Sequence, residues 1–167
     1  MARKISVISL FSAFAILLCY VETFIPTIGI PGAKLGLANI AVVLALCLLD
    51  AESAIIVNVV RIIIVGLLFG SLISVSFALA GAFMSLTVMI ILKKVFGFSI
   101  ITVSIFGGFF HNVGQIIVAY ILVYNYNILY YLPVLLIIGI ITGLIIGLLA
   151  KVLYERTGVL CKRILKN

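Results

Sequence analysis

Six apolar runs, separated by short polar breaks, organise the chain. They cover about residues 5–25, 35–49, 54–69, 72–92, 99–124 and 132–150. A membrane β-strand would alternate apolar and polar positions over about ten residues. Stretches such as Ile62-Ile63-Ile64-Val65 and Leu135-Leu136-Ile137-Ile138 do not alternate, so the pattern predicts α-helices. A helix needs about 20 apolar residues to cross a hydrocarbon core of about 30 Å. The second and third runs fall short of that, and are expected to be tilted or sheltered by neighbouring helices. No internal repeat stands out.

Composition turns this pattern into a membrane assignment. Hydrophobic residues make up 66% of the 167 residues and charged ones only 9%, with a mean hydropathy of +1.53. Soluble domains carry roughly a quarter of their residues as Asp, Glu, Lys and Arg, so this chain cannot clothe a water-facing surface. Six spans with short connections use nearly its whole length. The expectation is one all-α, polytopic membrane domain over residues 1–167, with about six transmembrane helices.

The net charge of +7 is a topology signal rather than a nucleic-acid footprint. With the N-terminus in the cytoplasm, Arg3, Lys4, Lys93, Lys94, Lys151, Arg156, Lys162, Arg163 and Lys166 fall inside, as basic residues near span ends do. The outer side keeps only Lys34, and Arg61 lies within a span. Both ends are therefore expected in the cytoplasm. Phe24, Tyr124, Tyr126, Tyr130 and Tyr131 gather at the expected outer interface, where amphipathic rings settle. The acidic Asp50 and Glu52 would lie inside with no basic neighbour in sequence, and the segment 151–167 reads as a basic interfacial tail. Arg3-Lys4 ahead of an apolar run resembles a signal peptide, but no small-x-small cleavage site follows, so the first span is expected to stay. Single cysteines at Asn125 or Asn127 should label from outside, and those at Lys94 or Lys166 should not; the reverse pattern would overturn this orientation.

Chemistry is sparse. The chain has one histidine and four acids, Glu22, Asp50, Glu52 and Glu155, and they form no paired-aspartate cluster able to hold magnesium and a diphosphate. No phosphate-binding Gly-x-x-x-x-Gly-Lys loop and no nucleophile elbow occurs. Cys19, Cys47 and Cys161 lack metal-ligand spacing. No catalysis by this chain alone, no cofactor and no metal are expected.

Polar side chains inside the spans are the remaining candidates, because they are costly in lipid and turn to the bundle interior or to a cavity. Arg61 sits mid-span, with Asn58 one turn earlier on the same face. It is read either as a ligand contact or as the ion-pair partner of Glu22 or Asp50. Gly107, His111 and Gln115 are four residues apart and form one stripe, beside Asn112. Three polar side chains so close together favour a lined cavity. Lys34 enters the second span at the positive end of its helix dipole, which is read either as a place where an anion is shared or as an interfacial lysine that snorkels to the headgroups.

Several motifs together resemble the Gx transporter family, often labelled heptaprenyl diphosphate synthase component I. They are Pro31-Gly32-Ala33-Lys34-Leu35-Gly36-Leu37-Ala38-Asn39, Asn58-x-x-Arg61, Phe77-Ala78-Leu79-Ala80-Gly81, the Gly107 to Gln115 segment with His111-Asn112-x-Gly114-Gln115, and Gly139-x-x-x-Gly143. The resemblance covers nearly the whole chain. That family is similar to the substrate-binding S components of energy-coupling factor transporters, six-helix proteins driven by a partner membrane subunit and two ATPases. It implies docking through small residues of the first helix, here Ser9 and Ala13.

The expectation is thus a membrane-embedded substrate-binding subunit of a bacterial importer. Its ligand would be small, anionic or an isoprenoid or quinone precursor, held by Lys34, Asn39, Asn58, Arg61, His111, Asn112 and Gln115. The alternatives are a non-catalytic accessory subunit of prenyl diphosphate or quinone synthesis, and a scaffold whose polar residues only join helices.

Overall fold

A computed structural model describes residues 2–24, 35–124 and 126–166. Among them six α-helices follow in order: α1 (Ala2–Thr23), α2 (Asn39–Leu48), α3 (Ala51–Phe69), α4 (Leu72–Lys94), α5 (Ile100–Val123) and α6 (Leu132–Lys166). A 3-10 helix, Tyr126–Tyr131, leads into α6, and no strand occurs among the described residues. All the helices but α2 are long and apolar enough to cross a membrane. Leu10, Leu17, Leu72 and Phe83 are exposed on the exterior, where lipid suits them. The chain is a multi-pass membrane protein.

The polar breaks read from the sequence act as helix caps. The Asp50 carboxylate accepts the Ser53 N–H at 2.8 Å and starts α3. Ser71 and Ser99 do the same for α4 and α5, each accepting an N–H three residues on at 3.2 Å. Such caps satisfy backbone donors that the first turn leaves free.

The expected second span, 35–49, contains a helix of only 10 residues, about 15 Å long. It is sheltered, as its shortness required: all but Asn39 and Cys47 of its residues are buried. Two contacts fix how it runs. The Gly36 N–H donates to the Glu22 carboxylate near the end of α1, and Asp50 pairs with Lys4 near the start of α1 at 2.8 Å. That stretch of α1 is about 27 Å long at 1.5 Å per residue. Tied at its two ends to opposite ends of α1, the chain from Gly36 to Asp50 therefore returns along the length of α1. Non-helical backbone at membrane depth is tolerated where protein covers it.

The same contact supplies the acidic loop with a base that local sequence does not contain. Lys4 reaches Asp50 at 2.8 Å and Glu52 at 3.9 Å. The Lys4 ammonium, helped by the Ser53 N–H, lowers the Asp50 carboxyl from 3.8 to about 2. A depressed carboxyl stabilises the fold above its ordinary pKa and loses that contribution as pH falls through the folded value. Melting temperature should therefore drop between about pH 4 and about pH 2, and Lys4→Met should flatten that drop. An unchanged slope in Lys4→Met would count against the pair.

The described part of the expected tail, 151–166, is helical. It continues α6, which has 35 residues and, at about 1.5 Å per residue, a length of about 52 Å. Nothing in 151–166 breaks a helix, and one face stays packed: Cys161 is buried, and a β-carbon added to Gly158 would lie 3.5 Å from Leu48 Cδ2. Lys151, Arg156 and Arg163 face outward.

Small residues weld α4, α5 and α6 together. With lipid as the solvent, helices associate through close van der Waals packing that small residues allow. A β-carbon on Gly108 of α5 would sit 2.3 Å from the Gly139 carbonyl oxygen of α6, and one on Gly143 would sit 2.7 Å from the Ser104 oxygen. On the other face of α5, a β-carbon on Gly114 would lie 2.5 Å from the Ala80 oxygen of α4. The Gly139-x-x-x-Gly143 pair is thus consumed inside the molecule.

Candidate functional site

Two groups of polar side chains meet at Asn39. The first is built on α3, where the three-residue spacing of Asn58 and Arg61 turns both inward. Arg61 is only 7% exposed. Its Nε donates to Asn58 Oδ1 at 2.7 Å, its Nη2 to Asn39 Oδ1 at 2.8 Å, and its Nη1 faces Cys19 Sγ at 3.9 Å. The expected alternative, an ion pair with Glu22 or Asp50, does not form. Asp50 and Glu52 turn to Lys4 and Glu155 to Lys151. The Glu22 carboxylate accepts the Gly36 N–H instead.

The second group lines a cavity between the α1–α3 half and the α4–α6 half. Its walls are Leu35, Gly36, Asn39 and Val43 from the first half. Ser85, Met89, Ser104, Gly107, Gly108, His111, Asn112, Gln115, Thr142, Gly143 and Ile146 come from the second. The cavity opens on one side, and its empty space, counted with that open side, is about 480 Å³. The stripe read from the sequence, Gly107, His111 and Gln115, does face this cavity. Its glycines have a local reason: a β-carbon at Gly81 would meet the His111 ring at 2.8 Å, and one at Gly107 would meet Met89 Sδ at 2.6 Å.

Asn112 also joins helices, since its Nδ2 donates to the Leu135 carbonyl of α6. Asn58 and Arg61 do not line the cavity; they stand behind Asn39. Lys34 lies outside the described residues. Ser9 and Ala13 are exposed on α1, away from the cavity. Ser85, Ser104 and Thr142 were not expected, because isolated hydroxyls in apolar helices usually bond their own backbone, as Thr142 does to the Ile138 carbonyl. Nor were Gly36 and Glu22, which only the fold brings together.

Amides, hydroxyls and one imidazole beside apolar walls suit recognition by hydrogen bonds. The described lining holds no carboxylate. No group of three His, Cys, Asp or Glu positioned for a metal ion occurs among the described residues.

No curated protein and no solved structure matches the chain. The family model described as heptaprenyl diphosphate synthase component I matches residues 11–153, a stretch that contains the whole described cavity lining and the Arg61 cluster, and the chain belongs to that family.

Proposed function

We propose that the protein is a membrane-embedded substrate-binding subunit that holds a small ligand in the cavity between its two halves. The observation that carries this reading is the convergence of Asn39, His111, Asn112 and Gln115 on one cavity. Polar side chains inside membrane helices turn to the bundle interior or to a cavity, and these four, from α2 and α5, face the same one. Lys34, just ahead of Leu35 in sequence, joins the ligand set as the cation for an anionic group.

Energy for transport would come from partners, namely an energy-coupling membrane subunit and ATPases, in the cytoplasmic membrane of a bacterium. Ser9 and Ala13, exposed on α1, suit close approach of such a partner helix. A second reading follows from the family description, which speaks of a synthase component. There the chain would be a non-catalytic membrane accessory to a prenyl diphosphate synthase, with an isoprenoid or quinone precursor as its ligand. A long polyprenyl tail would exceed this cavity and would have to run into lipid.

The test is to purify the detergent-solubilised complex from its own cell and identify proteins and small molecules by mass spectrometry. The importer reading expects an ATPase module among the partners and uptake that depends on it. A soluble prenyl synthase as the sole stoichiometric partner would replace it with the second reading.

A further inference from the structure

The Gly36–Asn39 turn forms the α2 wall of the cavity, and two residues outside the cavity hold it. Gly36 has φ +71°, a left-handed conformation natural to glycine, and its N–H is held by Glu22. Asn39, three residues on, gives its Oδ1 to Arg61 Nη2 at 2.8 Å. Neither Glu22 nor Arg61 lines the cavity. A guanidinium only donates hydrogen bonds, so it fixes which end of the Asn39 amide it meets. The oxygen faces Arg61, and the amide nitrogen is left as the free end; it lies 3.0 Å from where a β-carbon of Gly36, another lining residue, would stand.

Resting on the ligand-binding reading above, we infer that Glu22 and Arg61 are positioning residues that clamp the Gly36–Asn39 turn so that Asn39 Nδ2 faces the ligand as a donor. The ligand group against α2 is therefore an oxygen acceptor: a carbonyl, carboxylate, sulfonate or phosphate oxygen. Arg61 acts through Asn39 rather than by touching the ligand. Glu22, although negative, favours an acceptor ligand, because it holds the wall that supplies the donor.

The probe is 2-sulfonatoethyl methanethiosulfonate, whose sulfonate offers acceptor oxygens, compared with uncharged methyl methanethiosulfonate. Both react with a single cysteine at Gln115 on the opposite wall, in the full chain in nanodiscs with Cys19, Cys47 and Cys161 changed to serine. The ratio of the two rates reads recognition of the acceptor. Asn39→Ala and Glu22→Ala should each lower it about tenfold, the scale of one lost hydrogen bond to a charged group. Glu22→Gln, which keeps an oxygen for the Gly36 N–H, should leave it within about twofold, on the same hydrogen-bond scale. Simple charge repulsion would instead make both Glu22 variants raise the ratio, and that result would overturn the clamp. So would an unchanged ratio in Asn39→Ala. If neither reagent modifies the cysteine at 115, the cavity is closed to ligands and the binding reading itself fails.

Discussion

Gly108→Val should abolish folding of the α4–α6 half. The new β-carbon would lie 2.3 Å from the Gly139 carbonyl oxygen, and backbone on both sides leaves nothing flexible to yield. Separating α5 from α6 would also pull Asn112 Nδ2 from the Leu135 carbonyl and Gly143 from Ser104. Overpacking alone costs about 1–3 kcal/mol and more where backbone must shift; here the shift would run along a whole helix. Size-exclusion profiles of a fluorescent fusion should lose the monodisperse peak. Gly158→Ala is the control, since its β-carbon would make an ordinary 3.5 Å contact with Leu48, and it should keep the peak. A folded Gly108→Val protein with a near-normal melting temperature would contradict the packing described for α5 and α6.

Arg61→Ala carries the second large effect. It leaves the Oδ1 atoms of Asn39 and Asn58 without the donors that meet them at 2.8 and 2.7 Å. An orphaned buried acceptor costs about 1–3 kcal/mol, so the pair should cost on the order of 2–5 kcal/mol. For a chain of this size a loss of that order lowers the melting temperature by on the order of 10 °C. Arg61→Lys should recover only part of it, because an ammonium lacks the fork that spans both oxygens. If Arg61 were instead held by an ion pair, Glu22→Gln would destabilise as much as Arg61→Ala; the hydrogen-bonded arrangement expects a clearly smaller effect.

The helices were legible because lipid demands long unbroken apolar runs, and Asp50, Ser71 and Ser99 stand where those runs are capped. What the one-dimensional pattern concealed was set by contacts far apart in sequence. The short α2 is allowed because Glu22 and Lys4, at opposite ends of α1, hold its two flanks. The length of α6 was hidden because basic residues mark a membrane boundary without breaking a helix. At the site, four-residue spacing foretold that His111 and Gln115 share a cavity. The same spacing logic paired Asn58 with Arg61, yet a sequence has no means of telling a residue that lines a cavity from one that stands a layer behind it. Ser85, Ser104 and Thr142 reach the lining through helix packing fixed by glycines, which spacing within any single helix does not encode.

In the proposed function, the cavity between the two halves holds a small ligand without help from ATP. The most direct measurement is native mass spectrometry of the protein released from nanodiscs after incubation with small molecules extracted from its own cell. The wild type is set beside Thr142→Phe, in which an aromatic ring fills the cavity from α6. One small-molecule adduct is expected on the wild type and none on Thr142→Phe, with the two apo proteins melting within a few degrees of each other. An identical adduct on both proteins, or none on the wild type, would contradict that function.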